Sequence, residues 1–444
     1  MRYIKGRCIM KSCTYISVLM CLLILGIAGC GANSETAKDE VQIPPKTETS
    51  DGPKVSNGVK EGKSQTKDPV ANKPVDDSND SALTQLKELS LEEKVGQLVI
   101  VGMEGTTVDS SSRKLLNTYH VGGFIFFKDN MESISQSVQL FNSLKKANAG
   151  NPIPLWMSID EEGGRVSRMP DPFVKLPSSG KVGENDDPAL AQEIAGQIGK
   201  RLFGFGLNMA YAPVLDVNSN PDNPVIGDRS FGNSAKMVSR LGIAAMKGIQ
   251  ETGVVPAVKH FPGHGDTSVD SHFGLPVVEH DKERLNKLEL APFKDAIDNG
   301  ADVVMVSHLL MSKIDPETPA SFSKPVITGL LREQLGFKGV VITDDMTMGA
   351  VGAGEIEIGE AAIRSVLAGT NIVLVGHEYD KEEAVIKSLI QAVKSKRITE
   401  KILDERVLTI LRLKQKYNIN DQPVTGPDVK QLNAEAKQLI SKLK

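Results

Sequence analysis

Eight short apolar runs, most of them followed by polar residues and an amphipathic stretch, predict an α/β protein: a (β/α)8 TIM-type barrel preceded by a lipoprotein signal and a disordered tether. Two features of the runs point to a barrel. They are continuously apolar rather than alternating, which strands buried on both faces require. Their C-terminal ends collect ionisable residues, as the strand ends of a parallel barrel do when they form a site. An open, doubly wound sheet built from the same elements is the alternative, because only the count of eight separates the two.

The chain opens with Arg2, Lys5, Arg7 and Lys11, then an apolar stretch from about Ile16 to Ile27 that closes on Ala28-Gly29. This is the layout of a secretory signal and too short for a comfortable membrane span. The sequence Ile27-Ala28-Gly29-Cys30 resembles a bacterial lipobox, so residues 1–29 are expected to be a lipoprotein signal peptide and Cys30 the lipidated mature N-terminus. Met10 is a possible alternative start, and an ordinary signal with a stray cysteine is the plainer reading. The four cysteines are Cys8, Cys13, Cys21 and Cys30, so the body of the protein has no thiol for a disulfide or a thiolate metal site. Residues 30–80 are rich in Lys, Asp, Glu, Thr, Ser, Pro and Gly without periodicity, a composition that cannot bury enough apolar surface to offset its ordering entropy. They are expected to be a flexible tether with a root-mean-square reach on the order of 40 Å. An extracytoplasmic, membrane-anchored location follows from signal and tether together.

Order is expected from Ser81, with Ser90-Leu91-Glu92-Glu93 as a capping box that starts a short helix. The strand candidates are Leu98–Val101, Gly123–Phe127, Leu155–Ile159, Met209–Val214, Val254–Val258, Val303–Val306, Val340–Ile342 and Ile372–Val375. Amphipathic stretches lie between several of them: Ala189–Phe203, Ala235–Gln250, Leu285–Ile297, Ile327–Leu335, Ile358–Leu367 and Glu382–Val393. The barrel domain is expected over residues 81–418, with residues 419–444 as a helical C-terminal extension. With 52 basic and 56 acidic side chains the formal charge is −4, and no basic patch suggests a nucleic-acid partner.

Polarity sits where the runs stop. Asp160 ends the third, Asp216 follows the fourth, Lys259 and His260 end the fifth, His308 the sixth and Asp344 the seventh. Lys259 to His272 reads KHFPGHGDTSVDSH, which proline and paired glycines keep from being helical. Asp270 and His272 are two positions apart, so in an extended loop they face the same way. A carboxylate there fixes the imidazole's tautomer and suits it to proton transfer near neutrality. Asp344 and Asp345 are adjacent, so along a strand one enters the site while the other braces the rim. Asp160-Glu161-Glu162-Gly163-Gly164-Arg165-Val166-Ser167-Arg168 sets carboxylates and guanidiniums beside glycines that let a ligand approach the backbone. Arg229, in the turn-rich loop Asn223–Gly232, could donate a fork of hydrogen bonds. Each of these last two signals is weak alone, since loop ion pairs look the same.

Taken together, IDEEGGRVSRM, NPVIGDRSFG, KHFPGHGDTSVDSHFGLP and ITDDMTMGA occur in the order found in the β-N-acetylhexosaminidases of glycoside hydrolase family 3, and the chain resembles them over roughly Leu91 to Asn418. The resemblance implies that Asp344 is the nucleophile that forms a covalent glycosyl-enzyme and that His272 is the general acid/base, with Asp270 as its partner. It implies that Asp160, Arg168, Arg229, Lys259 and His260 bind N-acetylglucosamine. It implies no cofactor and no metal, and a GlcNAc-containing glycan as substrate, with peptidoglycan fragments favoured over chitooligosaccharides by the lipid signal. Thr343 stands where many relatives have serine. Only about 25 residues follow Asn418, too few for the second domain that supplies an acid/base carboxylate in β-glucosidase relatives, which favours His272. Alternatives are a family 3 phosphorylase or β-glucosidase, a non-catalytic wall-sugar-binding lipoprotein, and a metal hydrolase using His260, His264, Asp266, Asp270 and His272.

Overall fold

The computed structural model describes residues 80–271, 274–352 and 356–444. The expected signal peptide, Cys30 and nearly all of the expected tether lie outside the described residues, as does His272. The eight apolar runs become eight parallel strands: β1 (Val99–Val101), β2 (Gly123–Phe126), β3 (Trp156–Ile159), β4 (Met209–Ala210), β5 (Val255–Phe261), β6 (Val303–Val306), β7 (Val340–Asp345) and β8 (Ile372–Val375). They pair in chain order, and β8 returns to β1 through Val99 opposite Val373, so the sheet is a closed barrel. Closure excludes the open sheet.

Burial explains the uniform apolarity of the runs. Every residue of β1, β2, β3, β5, β6 and β8 is buried, because side chains fill the barrel on one face and meet helices on the other. Helix Ala235–Gln250 packs on β5 and against Pro188–Phe205, and Ile358–Ala368 packs on β8 and against Tyr379–Lys394.

Three elements depart from the periodic reading. The run Met209–Val214 supplies a two-residue strand only, since Pro213 has no N–H for the ladder; pairing resumes as one bridge, Val214 with Lys259. The stretch Leu285–Ile297 is two helices, Lys282–Lys287 and Ala291–Asp298, because Pro292 can begin a helix but not continue one. Pro325–Gln334 is wound as a π-helix. At the C-terminus, helix Val429–Ile440 buries Leu432, Ala436 and Leu439 and lies against Pro188–Phe205.

Candidate functional site

The strand ends of β3, β5, β6 and β7 bring the ionisable residues together. Lys259, near the end of β5, is 2% exposed and donates to Asp160 Oδ1 at 2.5 Å and lies 2.7 Å from Glu162 Oε1. Glu162 also takes a two-pronged bond from Arg229, whose Nε and Nη2 lie 2.8 and 2.7 Å from its two oxygens. Burial would neutralise Glu162, but Lys259 and Arg229 hold its pKa far below the usual carboxylate range. Burial likewise opposes the Lys259 ammonium, and Asp160 with Glu162 overcomes it, raising that pKa above the ordinary lysine value. Of these groups Asp160 keeps the most accessible edge, 22% of its side chain, so it can reach a ligand hydroxyl.

His260 is fixed from both sides. Its Nδ1 lies 2.6 Å from Asp216 Oδ2, and its Nε2 faces Arg229 Nη2 at 3.2 Å. A guanidinium can only donate, so in the neutral ring Nε2 is the acceptor and the proton sits on Nδ1 against the carboxylate. Asp216 is fully buried and also receives the amide of His264 at 2.7 Å.

Asp344 is the penultimate residue of β7 and is half-buried. Burial would raise its pKa; the imidazoles of His260 and His308, the amide of Asp345 and Lys259 outweigh that and lower it. The side chain is therefore an anion at neutral pH. Asp345 braces the rim as the alternation of a strand requires: its Oδ1 accepts from the amides of Gly376 and Thr347 and from the Thr347 hydroxyl, each at 2.8–2.9 Å. His308 donates from Nε2 to the Asp345 carbonyl, 2.9 Å away, while its Nδ1 meets Ser321 Oγ at 2.6 Å.

The loop after β5 folds over His264. Thr267 Oγ1 lies 2.7 Å from His264 Nδ1 and Ser271 Oγ 3.2 Å from Nε2. Burial pushes this imidazole's pKa down, and with Nδ1 donating to Thr267 and Nε2 accepting from Ser271 it is neutral. The Ser271 carbonyl accepts from the amide of Ala350, just beyond β7, so the loop reaches the strand that carries Asp344. Asp270 is half-buried and its carbonyl accepts from Gly274 N at 3.1 Å.

Arg168 is placed differently from Lys259 and Arg229. Its amide donates to Glu161 Oε2 at 2.7 Å, and its buried Nε has no hydrogen-bond partner among the described residues. Glu161 is fully buried, and burial raises its pKa to about 7. The glycine pair beside it serves the chain itself. Gly163 and Gly164 both have positive φ, and side chains there would strike Pro177 and Ser178. Close packing of residues 177–178 is thus one reason for glycine at both positions. Three members of the metal-hydrolase grouping have protein partners, and His272 lies outside the described residues. His260 and His264 are committed as described, and Asp266 turns toward His280.

Glu162, Asp216 and His308 were not among the expected sugar-binding residues. Glu162 was findable, since it lies two positions after Asp160 and in extended chain shares its face. Asp216 and His308 were visible as strand-end residues, but nothing in their spacing assigned them to His260 or Asp345.

At the rim between β1 and β8, Glu382 is 3% exposed and accepts from the amide of Gly102 at 3.1 Å. Burial, reinforced by Asp345, Glu104 and Asp109, raises its pKa to about 8. A folded pKa above the unfolded value means the fold holds a proton that the unfolded chain releases, so stability should fall as pH rises from about 4.5 to about 8. Glu382→Gln is expected to flatten that slope, with its Tm advantage over the native chain growing from pH 5 to pH 9; parallel Tm curves would refute the assignment.

A parallel barrel whose strand-end face gathers a buried anion, two paired cations and fixed imidazoles is that of a barrel enzyme. Residues 90–413 match the family model described as the glycosyl hydrolase family 3 N terminal domain, and the chain belongs to glycosyl hydrolase family 3. It is 34% identical over 335 residues to beta-hexosaminidase A of Pseudoalteromonas piscicida, covering 70% of this chain and 56% of that protein. It is 35% identical over 297 residues to the beta-hexosaminidase of Nitrosomonas eutropha, covering 66% and 84% respectively. Among solved structures, a glycoside hydrolase family 3 beta-N-acetylglucosaminidase from Paenibacillus sp. FPU-7 superposes with a TM-score of 0.75 at 42% identity, over 80% of this chain and 69% of the other. The beta-N-acetylhexosaminidase from Beutenbergia cavernae gives 0.69 at 31% identity, over 74% and 99%. The chain thus spans about half of the first relative and nearly all of the last.

Proposed function

We propose that the protein is a retaining, exo-acting β-N-acetylglucosaminidase that releases terminal N-acetylglucosamine from peptidoglycan fragments. The observation that carries this reading is Asp344: an anionic carboxylate deep at a strand end, half-buried, and bordered by Lys259, His260 and His308. In the proposed cycle Asp344 attacks carbon one and forms an ester while His272, partnered by Asp270, protonates the leaving oxygen. Esterification removes the negative charge of Asp344, which lowers the affinity of His272 for its proton, and the neutral imidazole then deprotonates water. Asp160, Lys259, Arg229 and His260 would hold the sugar hydroxyls, and the names of the hexosaminidase relatives support an N-acetylated sugar.

Purified protein assayed on a GlcNAc-terminated muropeptide, chitobiose and an aryl glucoside tests the reading; it expects release of N-acetylglucosamine from the first, at a rate independent of added phosphate. His272→Ala is expected to lose about a hundredfold on a natural disaccharide and much less on a dinitrophenyl glycoside, whose leaving group needs no proton. Equal losses on both substrates would remove His272 from the acid role. The envelope location is part of the same proposal and rests on the lipobox-like sequence before Cys30: labelled palmitate should enter the native protein and not Cys30→Ala.

A further inference from the structure

The loop that leaves β5 is held down along its ascending limb. Gly265 lies so close to Val217 that a side chain would meet the Val217 carbonyl at 1.8 Å. Asn223 Nδ2 donates to the His264 carbonyl at 2.9 Å and Asn220 Nδ2 to the Thr267 carbonyl at 3.2 Å. The descending limb is held separately, with Val277 and Val278 pairing with Leu310 and Met311. Where the limbs meet, Asp266 accepts from Ser219 Oγ at 3.0 Å through one oxygen and is paired with His280 Nε2 through the other. Arg284 backs the pair, 3.9 Å from Asp266, and donates to Glu289 Oε1 at 3.0 Å.

We infer that Asp266 and His280 form a clasp that ties together the two limbs of this loop and thereby sets the position of Asp270, the acid/base partner in the proposed cycle. They are positioning residues, and this role rests on the function proposed above. The physical argument is one of freedom. A segment anchored at both ends by backbone contacts still samples many arrangements, and a side-chain tie across its base removes most of them. The tie lies at the base of the loop, whereas Ser271, near its tip, touches Ala350 beside the nucleophile strand. Asp266 and His280 each keep 27% of the side chain exposed, so breaking their pair costs the barrel little while freeing the loop.

The same residues also have the makings of a metal site, since Asp266, His280 and Glu289 place one ligand atom each within 4.8 Å of one another and Glu289 Oε2 is buried without a partner among the described residues. The Arg284 guanidinium decides against it. It already supplies positive charge to both carboxylates, where a second cation would be repelled.

The test uses Asp266→Ala and His280→Ala in the full chain, with aryl N-acetyl-β-glucosaminides of graded leaving group. For a poor leaving group kcat/KM should fall about tenfold, and for the dinitrophenyl glycoside by less than about twofold, because only the first needs a proton delivered. KM should change little, the double variant should be no worse than either single one, and His280→Gln, which retains a donor, should recover part of the loss. Hydrogen exchange at residues 267–271 and 274–279 should quicken in both alanine variants. Losses independent of leaving group, strictly additive losses, or unchanged exchange would overturn the clasp. So would a native chain that loses activity to the same extent on treatment with a chelator, which would make the cluster a metal site. If the native chain cleaves no glycoside at all, the proposed function fails, and hydrogen exchange still decides whether the clasp exists.

Discussion

Asp344→Asn is expected to lower turnover of an aryl N-acetyl-β-glucosaminide by roughly 10⁴-fold or more while leaving the protein folded. The amide has the shape of the carboxyl group but cannot form the ester on which a retaining cycle depends. The surroundings of Asp344 make the loss specific to chemistry. His260, His308 and Lys259 keep the carboxylate charged, while Lys259 makes its ion pairs with Asp160 and Glu162 and His260 makes its own with Asp216, and the amide leaves those pairs in place. The side chain receives a bond from the amide of Asp345 at 2.9 Å, which the Asn oxygen can still accept. Melting temperature should therefore stay near that of the native chain while the rate collapses. Labelling by a 2-fluoro-sugar inactivator should disappear with the activity, and in Asp344→Gly added azide should return an α-configured glycosyl azide. A variant that retains a tenth of the native rate would leave the carboxylate without its assigned role.

How much of this site was readable in advance depends on the spacing that carried the information. Runs buried on both faces announce parallel strands by composition alone, and all eight were legible. Pairs in adjacent positions were legible too, because a strand sends neighbours to opposite sides; Asp344 and Asp345 divide their labour on that rule. The same rule applied to Asp160, Glu161 and Glu162 puts the outer two on Lys259 and turns Glu161 toward Arg168. Contacts between distant segments were not legible. Asp216 holding His260, or His280 gripping Asp266 across a loop, depends on how the limbs fold back, and no local period encodes that. The strand after β3 was overread for a related reason: apolar composition continues through Pro213, but the ladder needs an N–H that proline lacks.

The second large effect is expected at Glu162, and it separates holding the site together from doing its chemistry. Glu162 is the anion shared by Lys259 and Arg229, and all three are largely withdrawn from water. Glu162→Gln keeps an acceptor but removes the charge, leaving Lys259 with the partly exposed Asp160 and taking from Arg229 the carboxylate it forks onto. Breaking one partner of such a buried network costs about 3–5 kcal/mol, mostly from the charges left behind. A large fall in Tm should therefore accompany the loss of activity, in contrast with Asp344→Asn. The pH dependence gives the sign. In the native fold the raised pKa of Lys259 stabilises at every pH below the unfolded lysine value and is lost only as pH climbs through the folded one. Without Glu162 burial gains weight against the ammonium, the folded pKa drops, and the variant should gain stability as pH rises toward the ordinary lysine range. Adding Lys259→Met should recover part of the lost Tm, because the stranded charge is removed with its partner, even though sugar binding stays impaired. If the double variant were as unstable as the two single losses summed, the pair would not be coupled, and the destabilisation would have to come from Arg229 alone.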